Sequence, residues 1–190
     1  MTLWYLARAA GVTALVLFTV AAALGLLAAG GRKPEQRFWL QYVHRSASAT
    51  GLVLLAAHVI AVLADAHVDL STSALVLPFT AGYRPFAITV GVLALYAGLL
   101  AAVVGAARGR LARSHAFTKR WRSIHVAASV GWLLSIGHSL LAGTDRGTPW
   151  MLALTLACLA AVGAAATVRL TSRTARASTP LNLARAGRTR

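Results

Sequence analysis

Acidic side chains are nearly missing from this 190-residue chain, with four Asp and Glu against nineteen Lys and Arg. A proton-coupled carrier is expected to place carboxylates inside its spans. Here Glu35 falls in a connection and Asp65, Asp69 and Asp145 fall at span ends or between spans, which counts against that class. Cysteine is reduced to Cys158, which rules out an intramolecular disulfide, a cysteine zinc site and a cysteine-held iron–sulfur cluster. Set in an apolar run, Cys158 reads as a small packed hydrophobe. No Gly-rich strand–turn–helix unit for a dinucleotide is present. Charged residues make up 12%, hydrophobic residues 58%, and mean hydropathy is +0.68. That composition excludes a sizeable soluble domain and indicates an all-α integral membrane protein.

What the chain does have is long apolar runs. Five read as spans, at 9–29, 38–64, 86–107, 124–141 and 150–168, giving an expected bundle of five transmembrane helices. The fourth is short and is expected to begin earlier, near Trp121. The first follows Arg8 and has a signal peptide as its alternative. Its apolar run is long for such a leader and Gly30-Gly31-Arg32 is a poor cleavage site, so a retained helix is expected. The net charge of +15 invites a nucleic-acid reading, but its distribution removes that support. Sixteen of the nineteen basic residues fall in the first and third connections, the start of the second span and the tail. Arg8, Arg84 and Arg146 lie on the other side. The positive-inside rule then places the N-terminus outside and the C-terminus in the cytoplasm of a multi-pass plasma (inner) membrane protein. Residues 1–170 form the membrane domain. Residues 171–190, basic and without an apolar face, are expected to be a disordered cytoplasmic tail, either solvated or resting on anionic lipid.

Four histidines lie inside these spans, His44 and His58 on the second, His125 and His138 on the fourth. Intramembrane histidines mark functional sites by default. The pairs are 14 and 13 positions apart, roughly 20 Å along a helix and most of a ~30 Å hydrocarbon core. Spans two and four run in the same direction, so His44 meets His125 and His58 meets His138. Two neutral imidazoles are good axial ligands for haem iron and leave no open position. Fourteen residues return to within about 40° of the start, so His44 and His58 share a face. Ser48, Gly51 and Leu55 lie between them, small enough at Gly51 for a macrocycle to approach or for another helix to pack. Thirteen residues end about 140° away. His125 and His138 therefore need local overwinding, a kink or a tilted second ring, with Gly131, Ser135 and Gly137 as sites for a distortion, and His138 is the ligand expected to fit worst. Beyond these two helices no internal repeat is evident. His67 and His115 read as loop residues.

The set His44-Arg45 with His58, and Trp121-Arg122-x-x-His125 with His138, resembles the ferric-reductase-like transmembrane domain family. The closer likeness is to short bacterial members without a flavin domain. It extends to Leu3-Trp4-Tyr5-Leu6-Ala7-Arg8, to Val76-Leu77-Pro78-Phe79 with Tyr83-Arg84-Pro85, and to Gly143-Thr144-Asp145. The resemblance covers roughly residues 3–150. It implies transmembrane electron transfer through two b-type haems with His44, His58, His125 and His138 as axial ligands of the haem iron. Larger members carry six spans and a flavin- and nicotinamide-binding domain, whereas this chain has five expected spans and neither a flavin nor an NAD domain. A separate donor (a reductase, a flavin or a membrane quinone) is then the expected partner, besides the lipid bilayer.

Arg45 and Arg122 flank the histidines of the basic side, where arginine forks suit haem propionates; positive-inside topology explains them equally. Trp39, Trp121, Trp132 and Trp150 can pack around a macrocycle, and the interfacial aromatic belt accounts for all but Trp132. Asp65, His67, Asp69 and Asp145 read as solvated loop charge. Two other classes stay open: a non-catalytic membrane anchor or regulatory subunit, and a small transporter using its histidines.

Overall fold

The computed structural model describes residues 2–29, 33–66, 68, 70–111 and 115–186. Between 109 and 126 only Trp121, Ile124 and His125 are described with their side chains, and beyond 172 only the backbone. Among the described residues the protein is all-helical: α1 (Thr2–Ala28), α2 (Pro34–Ala64), a 3-10 turn (Thr72–Leu75), α3 (Pro85–Leu111), α4 (His115–Ala142) and α5 (Pro149–Ala186). Pro34, Pro85 and Pro149 each stand at the start of a helix, where a fixed φ is pre-set for the first turn and a missing N–H costs nothing. Each expected span lies inside one of these helices, except that the first runs one residue past the end of α1.

Among the described residues α1, α2, α3 and α5 are long and apolar enough to cross a membrane. The apolar part of α4, Ala127–Ala142, is shorter, because Ser123, Arg122 and His125 interrupt hydropathy in its first half. His115, expected in a loop, opens α4. The backbone of α5 continues through 171–186, the stretch expected to be disordered, where alanine, arginine and leucine are strong helix formers.

The helices pack as two hairpins, α1 on α2 and α3 on α4, with α5 laid against α1. Small residues face inward, among them Ala7, Ala10, Ala14, Ala21, Ala47, Ala61, Ala87 and Ala101. Val53, Ile60 and Val103 point outward and are about two-thirds exposed. Small inward and large outward is the arrangement of helices that gain by close backbone approach rather than by hiding bulk from water. Where α1, α4 and α5 meet, Leu15, Trp132, Ile136 and Cys158 form a buried cluster. Within it the Trp132 indole N–H donates to Thr19 Oγ1 at 2.9 Å, and Thr19 donates to Leu15 O at 2.8 Å.

The bundle has two chemically different ends. The starts of α1, α3 and α5 and the ends of α2 and α4 lie at one, called here the N-terminal end; the ends of α1 and α3 and the starts of α2 and α4 lie at the other, the basic end. At the N-terminal end Arg8 forms an ion pair with Asp145 and lies 4.4 Å over the Trp4 ring. Arg84, held at φ 41°, donates to Leu141 O at 3.0 Å. The expected solvated acidic cluster is thereby corrected. Asp145 is ion-paired with Arg8, and Asp65, which caps the close of α2, is 7% exposed. His67 and Asp69 lie outside the described residues. The segment after the 3-10 turn exposes Val76, Leu77 and Phe79.

Candidate functional site

The four histidines converge in the expected pairs. His44 and His125 lie with ring centroids 6.1 Å apart at 72°, and His58 and His138 lie 6.4 Å apart at 80°. The closest backbone packing stays within each hairpin, so the imidazoles reach across the space between α2 and α4. The separations bear on chemistry. Metal–imidazole bonds of about 2.0–2.1 Å, plus roughly 1.1 Å from nitrogen to ring centre, would put two imidazoles on opposite sides of one metal about 6.3 Å apart, and closer at any smaller angle. Both pairs stand at that distance.

Three of the rings are fixed by a backbone carbonyl of the hairpin partner. His44 Nδ1 donates to Ala21 O at 2.7 Å, His58 Nδ1 to Ala7 O at 2.7 Å, and His138 Nδ1 to Ala87 O at 2.8 Å. A carbonyl only accepts, so Nδ1 carries the proton and Nε2 keeps its lone pair. That tautomer, with the second nitrogen tied to a carbonyl, is how histidines that hold metals are usually oriented. The fourth differs. His125 Nδ1 is buried without a hydrogen bond of normal geometry, although the Ala101 carbonyl is the backbone group that it addresses. Its ring is braced from the side instead. Trp121 stacks on it at 5.0 Å and 13°, Trp121 Nε1 donates to Val104 O at 3.2 Å, and Arg108 lies 4.3 Å over the Trp121 ring.

These contacts reveal a repeat that sequence reading missed. Ala7, Gly11, Ala21, Gly25, Gly51 and His58 recur as Ala87, Gly91, Ala101, Gly105, Gly131 and His138, each 80 positions on. Only the pair His44 and His125 is 81 apart, so the segment from His125 to Gly131 is one residue shorter than that from His44 to Gly51. The 13-residue spacing arises there. The expectation that His138 would fit worst is therefore reversed. His138 is in register and hydrogen-bonded, and His125 carries the offset. Nor does α4 break to absorb it, since its helix is continuous from His115 to Ala142. Ser135 and Ser139 simply bond back to Trp132 O and Ile136 O.

The other candidates separate as follows. Gly51 is closed by Phe18, 2.8 Å from where its Cβ would sit, so its smallness serves α1–α2 packing. Trp39 and Trp150 are exposed and Trp132 is buried away in the α1–α4–α5 cluster, leaving Trp121 as the tryptophan that touches a site histidine. Arg45 is exposed beside His44, and the Arg122 side chain lies outside those described. The signal that would have exposed the repeat is the Ala-x-x-x-Gly step itself, at 7/11, 21/25, 87/91 and 101/105. Comparison with protein-family models, with curated proteins and with solved structures finds no match to this chain.

Proposed function

We propose that this chain is a five-span membrane protein that carries electrons across a bilayer through two b-type haems, as in ferric-reductase-like transmembrane domains. The observation that carries the reading is the two pairs of facing imidazoles, each at the separation that two imidazoles on opposite sides of one metal would have. The donor set fits the group. All four ligands are imidazoles, and three are fixed as the tautomer with a free Nε2. Haem held by two imidazoles supplies reversible one-electron exchange without an open coordination position.

The chain's own residues do the rest. His44 and His125 hold the group of the basic end, and His58 and His138 that of the N-terminal end. The carbonyls of Ala7, Ala21 and Ala87 keep three rings from turning. The outward-facing Val53, Ile60 and Val103 suit contact with lipid. The basic end faces the cytoplasm and the N-terminus lies outside, by the placement of lysine and arginine. A separate reductase, flavin or quinone supplies the electrons. The test is direct: purify the full chain after expression with ample haem and record reduced-minus-oxidised spectra with a haem assay. A low-spin b-type spectrum is expected, with about two haems per chain. Absence of haem would refute the reading.

A further inference from the structure

Glycine is a poor helix residue, and Ala in its place normally stabilises a helix interior. Two glycines of α1 and two of α3 are nevertheless placed where each faces a site histidine. A Cβ on Gly11 would stand 2.8 Å from His58 Nδ1, and one on Gly91 would stand 2.6 Å from His138 Nδ1. Both are closer than side chains tolerate, and what they meet is a ring already tethered to a carbonyl one helical turn earlier, Ala7 O or Ala87 O. At the basic end the same positions are relaxed. Gly25 would place its Cβ 3.4 Å from His44, and Gly105 3.8 Å from His125. Gly98, midway between Gly91 and Gly105 on α3, has nothing within 4 Å.

We infer that Gly11 and Gly91 are positioning residues of the His58/His138 site. Their missing Cβ lets the α1 and α3 backbones press flat on the two imidazoles. The carbonyl at the fourth position before each glycine then sets the ring's tautomer and tilt, with Nε2 turned toward its partner ring. This rests on the reading of the pairs as ligand pairs. It makes the N-terminal-end site a rigid clamp and the basic-end site a looser one. A methyl at Gly91 has no soft neighbour to displace, so the His138 ring must swing off Ala87 O and out of line with His58.

The experiment compares Gly91→Ala, Gly11→Ala, Gly105→Ala and Gly98→Ala in the full chain, reading haem per protein, the low-spin electron-paramagnetic-resonance signal of each site, and thermal stability. Gly91→Ala and Gly11→Ala should each lose or shift the signal of the His58/His138 site while sparing that of His44/His125. Gly105→Ala should keep both signals, and Gly98→Ala should match the parent in haem and melt no lower. Parental spectra in Gly91→Ala and Gly11→Ala would overturn the inference, as would equal damage from Gly98→Ala. If Gly91→Ala fails to fold, the double variant Gly91→Ala/His138→Ala decides. Because the clash is with the ring, the double variant should fold as well as His138→Ala alone, and failure to recover would overturn the inference. A parent without haem refutes the proposed function instead. The stability comparison of these last variants still tests the packing in that case.

Discussion

The two histidine pairs are built from the same parts, yet one is held far more tightly than the other. At the N-terminal end both rings donate to carbonyls and both lie flush on a glycine. At the basic end His44 donates to Ala21 O but meets Gly25 only at ordinary contact distance, while His125 makes no hydrogen bond of normal geometry to the Ala101 carbonyl, stands farther off Gly105 and leans on Trp121. A single residue accounts for the difference. There is one position fewer between His125 and Gly131 than between His44 and Gly51, so His125 addresses the same helix face, Ala101 and Gly105, from a residue one place out of register. The lesson is that a repeat can keep its histidines paired while loosening the contacts that orient one of them, because a side chain with two rotatable bonds reaches its partner from more than one register.

The largest expected effect separates the pairs outright. His58→Ala and His44→Ala should each remove about one of two haem equivalents and leave the signal of the other pair. Loss of neither, checked by haem assay and difference spectra, would break the assignment of ligands. A narrower effect is expected at the brace of the looser pair. Trp121→Leu removes the ring stacked on His125, an interaction of about 0.5–1.5 kcal/mol, and should broaden or shift only the His44/His125 signal. A change at the other site would erase the distinction drawn between them. Trp132→Phe lies in the α1–α4–α5 cluster, away from both histidine pairs, and breaks the buried bond to Thr19. Interhelical hydrogen bonds in membranes average about 0.6 kcal/mol, so a small drop in melting temperature with both haem signals intact is expected. The smallest effect belongs to Arg8→Ala. Its ion pair with Asp145 is partly exposed, a setting worth about 0.2–1 kcal/mol and weakened by salt. The stability difference from the parent should therefore shrink in high salt.

Much of this was legible in one dimension. Apolar runs of about the length a bilayer needs marked the helices, and Pro34, Pro85 and Pro149 marked three of their starts. Lysine and arginine placement made the second and fourth helices run in the same direction, which dictated that His44 meets His125 and His58 meets His138. Those pairings appear in the fold. The repeat was not legible, because Ala-x-x-x-Gly steps are common in a chain rich in both residues and carry weight only when each is seen against an imidazole. The aspartates were misread for a related reason. Nothing local to Asp145 announces that Arg8, 137 positions away, closes on it.

The long apolar helices, the charge asymmetry and the spacing of four histidines along two of those helices were thus determined by the sequence alone, because run length, hydropathy and charge are all local. Which carbonyl fixes each ring, which glycine lies under it, and that His125 rather than His138 is out of register were decided only by tertiary structure. Those contacts join residues 51 positions apart, as His58 to Ala7 and His138 to Ala87, and their sign turns on a few tenths of an ångström between a missing Cβ and a ring nitrogen, which no spacing along the chain can express.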